Sequence, residues 1–190
     1  METKKGRPRR YSLGRLDGFR NPELALGASA LLELSERVAD QISDLPPEAM
    51  SFPAGQPGLT IGWLAAHMIW AETAWIGRAT GRLLAVDLAA ALRGAELSAY
   101  GNSPGLFTDA AAITQLFGRV RSEYGLPALR EVADIDREFE SQGLIVNVRA
   151  VMAQLAWHWT YHSGQIGLIR LQWGSDYTWT FDKELVLPRV

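Results

Sequence analysis

One stretch of this chain leaves little choice of fold. From about Ile145 to Gln172, with Trp173 just beyond, Val148, Val151, Leu155, His158, His162, Ile166, Ile169 and Trp173 recur at helical spacing. A turn of 3.6 residues gathers them on a stripe less than a quarter-turn wide. A helix this regular must bury its stripe against other elements, and three further segments offer partners of the same kind.

Asn21 followed by Pro22 reads as an N-cap with proline at the first helical position, and Leu24, Ala28, Leu31, Ser35, Val38 and Ile42 follow at helical spacing until Pro46 and Pro47. A loop with Phe52, Pro53, Gly55, Pro57 and Gly58 leads to Thr60, which caps a second helix reaching about Thr80. Thr60, Leu64, His67, Ala71, Ala74 and Arg78 share its stripe, and the alanines beside His67 leave room for something. A third helix starts near Thr108, with Asp109 at its positive end, and turns Ile113, Leu116, Phe117, Val120 and Tyr124 inward before Gly125 and Pro127 kink or end it.

Between the second and third helices, Leu83 to Leu92 could form a short helix, and Gly101, Asn102, Pro104 and Gly105 form a loop. Gly174 closes the last helix. The tail from Asp176 to Val190, with Tyr177, Trp179, Phe181, Leu185 and Leu187, reads as extended and is expected to pack over the helices. No strand pair is expected. The prediction is an all-α four-helix bundle with an extended C-terminal tail, in which the long second connection could replace a simple reversal by a crossover.

A chain of 190 residues suits one domain, here residues 21–190, preceded by an arm of residues 1–20. That arm carries Lys4, Lys5, Arg7, Arg9, Arg10, Arg15 and Arg20 against Glu2 and Asp17, so a formal charge of −2 hides an acidic remainder. With no nucleic-acid-binding motif beside it, the arm reads as a flexible, solvated segment, and no nucleic-acid partner is expected. The chain holds no cysteine, which excludes disulfides, thiolate ligands and a cysteine nucleophile. With neither the apolar core of a secretory signal nor an apolar run long enough for a bilayer, the expectation is a cytoplasmic protein with no membrane contact.

All three histidines fall on predicted interior stripes, and His158 and His162 stand four residues apart on one face. A buried imidazole must find a partner. Singly, each could be a core residue bonded to a carbonyl or hydroxyl; jointly, a stacked pair and a third ring from another helix most readily serve a divalent metal. Three imidazoles leave coordination positions open, as in catalytic zinc sites, although nickel, iron, manganese and cobalt also accept such ligands. An open cation could activate water for hydrolysis, stabilise a thiolate, or polarise a carbonyl.

Gln165, near the same stripe, could orient a ligand or be a buried amide bonded to a neighbour. Arg78, three turns from His67 and roughly 16 Å away at the helical rise, is placed for a pocket mouth where it could meet an anionic substrate group, or is a surface arginine resting on apolar atoms. Glu72 lies well off the His67 stripe and is not read as a general base. Six of the seven tryptophans, Trp63, Trp70, Trp75, Trp157, Trp159 and Trp173, sit on the histidine-bearing helices, where packing or dimer contact is the ordinary use, with one or two left to line a pocket.

Three segments together resemble the DinB/YfiT-like superfamily of metal-binding four-helix bundles: Thr60-Ile-Gly-Trp-Leu-Ala-Ala-His67, His158-Trp-Thr-Tyr-His162-Ser-Gly-Gln165-Ile, and Gly174-Ser-Asp-Tyr-Thr-Trp179. The resemblance spans nearly everything after residue 20. It implies a three-histidine site of His67, His158 and His162 holding zinc or nickel with water completing the shell, and a homodimer. Members with assigned activity are largely thiol-dependent: they transfer bacillithiol or a related small thiol, or isomerise maleylpyruvate using mycothiol. By analogy the metal would bind the thiol as thiolate and present it to an electrophile, in detoxification or stress defence. A metal-dependent hydrolase and a non-catalytic protein that binds or senses a small ligand are the competing readings.

Overall fold

The computed structural model describes residues 2–10, 12–55, 58–101 and 106–181. The elements run in the order β1 (Glu2–Arg9), α1 (Pro22–Ile42), α2 (Pro47–Met50), α3 (Ile61–Thr80), α4 (Val86–Ala91), α5 (Ala110–Arg119), α6 (Leu126–Arg130), β2 (Glu138–Ser141), β3 (Leu144–Asn147), α7 (Val148–Trp173) and β4 (Ser175–Phe181). The architecture is mostly helical. α7 packs against α3 and α1, and α5 packs against the same two helices from the other side of the chain order.

Local chemistry sets the helix ends. Asn21 Oδ1 accepts the N–H groups of Glu23 and Leu24 at 2.9 and 3.1 Å, and Thr60 Oγ1 accepts that of Trp63 at 3.1 Å. Asp109 caps Ala111 and Ala112, and Asn147 caps Ala150. Gly81 and Gly174 close α3 and α7 in left-handed conformation. Between α5 and α6, Val120–Gly125 form a wide π-type turn, which lets the chain reach Pro127 without a proline in mid-helix.

α3 is the central helix. From Ile61 to Ile69 every residue is buried, so its first half is covered all round rather than along one stripe. Leu24, Leu31, Val38 and Ile42 of α1 and Val151, Leu155, Ile166 and Ile169 of α7 meet it in one core. Trp63 and Trp159 belong to that core, whereas Trp157 and Trp173 lie at the surface.

The expectation of no strand pair is overturned. β2 and β3 form an antiparallel hairpin across Gln142 and Gly143, both at positive φ (56° and 76°). That hairpin takes Ile145 into a strand, so α7 begins at Val148 rather than near Ile145. β1 and β4 pair in parallel, with Glu2 opposite Ser175 and Arg9 opposite Phe181. Gly6 lies against the Tyr177 ring, where a Cβ would meet the hydroxyl end of that side chain. Of the expected extended tail, Ser175–Phe181 is β4; Leu185 and Leu187 lie outside the described residues, as do Pro57, Asn102, Pro104 and Gly105.

The first half of the basic arm, Glu2–Arg9, is built in as β1, whereas Arg15 and Arg20 are exposed. α1 presents Glu33, Glu36, Asp40 and Asp44, and the arm's cations close on them: Arg7 and Arg10 reach Glu33 at 2.9 and 2.7 Å, and Lys4 reaches Asp40 at 3.3 Å. The Arg7 N–H and the Tyr177 hydroxyl both donate to Asp40. Arg170, fully buried, ties the far end of α7 to Asp44 at 2.8 Å and donates to Ser175 Oγ at the start of β4. Opposite charges far apart in sequence thus recruit the arm onto the helices.

This clasp is expected to be acid-labile. Burial alone would raise the carboxyls of Glu33, Asp40 and Asp44, but Arg10 and Arg7, Tyr177 and Arg170 respectively outweigh it and hold all three below the ordinary carboxylate value. Their stabilising contribution is complete above pH of about 4, the unfolded value, and is lost as pH falls through the lower folded values. Limited proteolysis below about pH 4 should cut at β1 before the α3 and α7 core unfolds. Simultaneous loss of both would contradict this assignment.

Candidate metal centre

His67 is placed by α3, and His158 and His162 by α7, one turn apart on the face that α7 turns to α3. One ring nitrogen from each of the three lies within 4.8 Å of the others. His158 Nε2 and His162 Nε2 face each other at 3.1 Å, and the His67 ring centroid lies 5.2 and 5.4 Å from theirs. The convergence expected from the spacing of the pair and the third ring is therefore met. His67 is buried, and the other two are half-buried.

Two of the rings are oriented by hydrogen bonds of different kinds. His67 Nδ1 donates to the carbonyl of Ala95 at 2.8 Å, which leaves its Nε2 with the lone pair. Trp63 stacks on the same ring at 4.6 Å with the planes 10° apart, and its indole N–H is fixed by the Gly94 carbonyl. His162 Nδ1 donates to Gln165 Oε1 at 2.5 Å, which likewise leaves Nε2 bare. Gln165, read as a residue that could orient a ligand, holds a ring of the cluster. His158 is different: its Nδ1 is buried with no hydrogen-bond partner.

Burial lowers the pKa of all three rings. For His158 the neighbouring imidazoles add to that, and its pKa is pushed down to about 3. All three are consequently neutral near pH 7, the state in which an imidazole can donate to a metal. Two neutral rings meeting nitrogen to nitrogen, with a third alongside, form a donor set that protein groups do not close. Tetrahedral zinc with nitrogen ligands at about 2.0–2.1 Å places them near 3.3 Å apart, close to the separation of the α7 pair. The three histidines could hold a divalent cation.

Arg78 lies three turns down α3, over the Trp75 ring at 5.1 Å, and is exposed. It lines a cavity of about 620 Å³ that runs beneath α4 and includes Trp70 and Ala74. The room expected beside the α3 alanines is real at Ala74. Glu72 points elsewhere: it is buried against Arg121 at 2.8 Å and accepts the Trp159 indole N–H at 2.9 Å. Burial pushes its carboxyl up, while Arg121 and Trp159 oppose the shift.

Sequence reasoning missed Trp63 as a platform for His67 and the Ala95 carbonyl as its anchor. Trp63 stands one turn before His67, a spacing that was legible. Ala95 acts through its backbone, in a connection with no sustained period, and no side-chain pattern could have marked it.

Compared with known families, residues 28–173 match the model of the family described as Mycothiol-S-transferase. No curated protein matches the chain.

Proposed function

Because the chain belongs to the mycothiol S-transferase family, within the DinB/YfiT-like superfamily, we propose that it transfers a small thiol, mycothiol or a relative, to an electrophile at the three-histidine cluster. The observation that carries the reading is the meeting of three neutral imidazoles from two helices in a chain without cysteine. Such a chain must take its sulfur nucleophile from a co-substrate.

In this reading His67, His158 and His162 hold the cation, and zinc or nickel suits the all-imidazole set best. When bound, the cation supplies the Lewis acidity that keeps a thiol ionised near neutral pH. The protein's own part is positional. Trp63 and the Ala95 carbonyl fix the His67 ring, and Gln165 fixes that of His162, so two lone pairs are set before substrate arrives, and the His158 ring, which meets His162 Nε2 at 3.1 Å, would give up that contact to join them on the cation. The thiol gives its proton to solvent, its sulfur forms a bond to the electrophilic carbon, and the leaving group departs with the electron pair of the bond that breaks. Hydrolysis is less well served: Glu72, the buried acid of α3, is committed to Arg121 and Trp159 rather than to the cluster.

Two finer features belong to the same reading. The architecture is a four-helix bundle of α1, α3, α5 with α6, and α7. A homodimer forms through α7, where the exposed Trp157, Tyr161, Leu168 and Leu171 follow the four-three spacing of a helix seam around Gly164. Detoxification in the cytoplasm is the setting such chemistry suits.

The experiment is a conjugation assay with mycothiol and monochlorobimane on metal-loaded protein. Thiol-dependent conjugate formation above the uncatalysed rate is expected. Ester or phosphoester turnover without any thiol would instead favour the hydrolase, and tight ligand binding without turnover the sensor.

A further inference from the structure

The cavity beside α3 is distinguished by its charges. Several arginines of this protein are matched by carboxylates: Arg7 and Arg10 with Glu33, Arg119 with Asp87 and Glu123, Arg121 with Glu72, Arg149 with Asp136, Arg170 with Asp44. Arg78, Arg82 and Arg93 line one cavity, and none has a carboxylate within ion-pair distance among the described residues. The single acid on the wall, Glu96, accepts the Gly94 N–H at 2.8 Å and offsets one of the three positive charges, so the wall stays net positive.

Beneath the arginines the wall is apolar and aromatic. Trp70 and Ala74 of α3 face Ala89 of α4 and Leu92 just beyond it, and Tyr124 closes one side. A volume of about 620 Å³ falls within the range of small-molecule sites. Three like charges around one concavity repel one another, and an anion drawn between them relieves that repulsion.

The cavity also adjoins the histidines. The Trp70 ring stacks beside that of His67 with centroids 5.8 Å apart, and Glu96 directly follows Ala95, whose carbonyl anchors His67. No histidine lines the cavity itself; the Trp70 ring stands between it and His67, and Arg78 lies roughly 16 Å down the helix from His67.

We propose that this cavity is the acceptor pocket, and that the electrophile it takes is an amphipathic anion: an apolar or aromatic body bearing a carboxylate or sulfonate. The body lies on Trp70 and Ala74, and the anionic group meets Arg78, Arg82 and Arg93. The acceptor role rests on the thiol-transfer reading; the anion selectivity does not.

The test uses full-length protein and 8-anilinonaphthalene-1-sulfonate, with N-phenyl-1-naphthylamine as the uncharged counterpart, read by fluorescence in chelator. Chelator removes any dependence on the metal. The sulfonate is expected to bind at least about tenfold tighter than its neutral counterpart, and Arg78→Ala with Arg93→Ala is expected to cost about tenfold per arginine. Both side chains are exposed, so the variants should fold, and circular dichroism checks it. In the conjugation assay, the same variants should raise KM for 4-chloro-3,5-dinitrobenzoate and leave that for 1-chloro-2,4-dinitrobenzene unchanged. Equal binding of the two probes, or a sulfonate affinity indifferent to both substitutions, overturns the proposal. Selective binding with no turnover of any thiol and electrophile overturns the acceptor role along with the transferase reading, and leaves an anion-binding pocket.

Discussion

Alanine in place of His158 is expected to reduce thiol conjugation to the uncatalysed rate while leaving the metal-free fold at least as stable. The first part follows from losing one of three nitrogen donors. The second follows from what the ring does in the protein without metal: its Nδ1 is buried and unpartnered, and its Nε2 faces another imidazole at 3.1 Å. An unpartnered buried polar atom costs about 1–3 kcal/mol, so removing it offsets the packing lost with the ring. A structural core histidine behaves in the opposite way. Thermal unfolding in chelator, run beside the conjugation assay, separates the two. Inactivity with an unchanged or higher Tm is the expected pair of results, and a Tm fall of many degrees with conjugation retained would mark His158 as packing.

The second large effect lies one layer away, at Glu72. Its side chain is almost wholly buried, holds Arg121 at 2.8 Å and accepts the Trp159 indole N–H at 2.9 Å. Glu72→Ala strands a buried guanidinium, an indole donor and a small void together. Breaking one side of a buried pair costs about 3–5 kcal/mol, which for a chain of this size lowers Tm by roughly 10 °C. Glu72→Leu combined with Arg121→Met removes both charges, and should recover most of that loss. Denaturant unfolding of the single and double variants checks the pair. A single variant as stable as the parent would mean that Glu72 does not anchor the contact between α3, α7 and the π-type turn.

The histidine rings lie next to this network without sharing a hydrogen bond with it. Trp159 directly follows His158 on α7, about a quarter-turn round the helix from the histidine pair, and there it also meets Phe117 edge-on at 5.3 Å. α7 therefore carries a functional face and a structural face, and the two substitutions should separate activity from stability.

Much of this was readable from residues alone, for reasons that are local. α1 and α3 begin after Asn21 and Thr60 because those side chains satisfy backbone N–H groups within their own first turn. His158 and His162 share a face because helical geometry requires it. That His67 meets them depends on how α3 packs on α7, and spacing along one helix says nothing about that. The parallel pairing of β1 with β4 joins residues more than 170 positions apart, so no local pattern marks it. Its signal is charge complementarity, the cations of the arm against Glu33, Glu36, Asp40 and Asp44, and that becomes visible only when α1 is read as a helix. The hairpin at Gln142 and Gly143 was only half legible: Gly143 suits the positive φ its turn position needs, whereas Gln142 adopts positive φ without being a residue that signals it. Arg82 and Arg93 sit in connections without periodicity, and only the fold shows that they line the cavity with Arg78.

The most direct measurement is the metal content of protein prepared without a histidine tag, compared with that of His67→Ala. About one first-row divalent metal per chain, lost when His67 alone is replaced, is the predicted result. It would tie a residue of α3 and a pair on α7 to a single ion. Protein that takes up no metal when offered zinc or nickel, or a His67→Ala variant that keeps its full complement, would contradict the account at its centre.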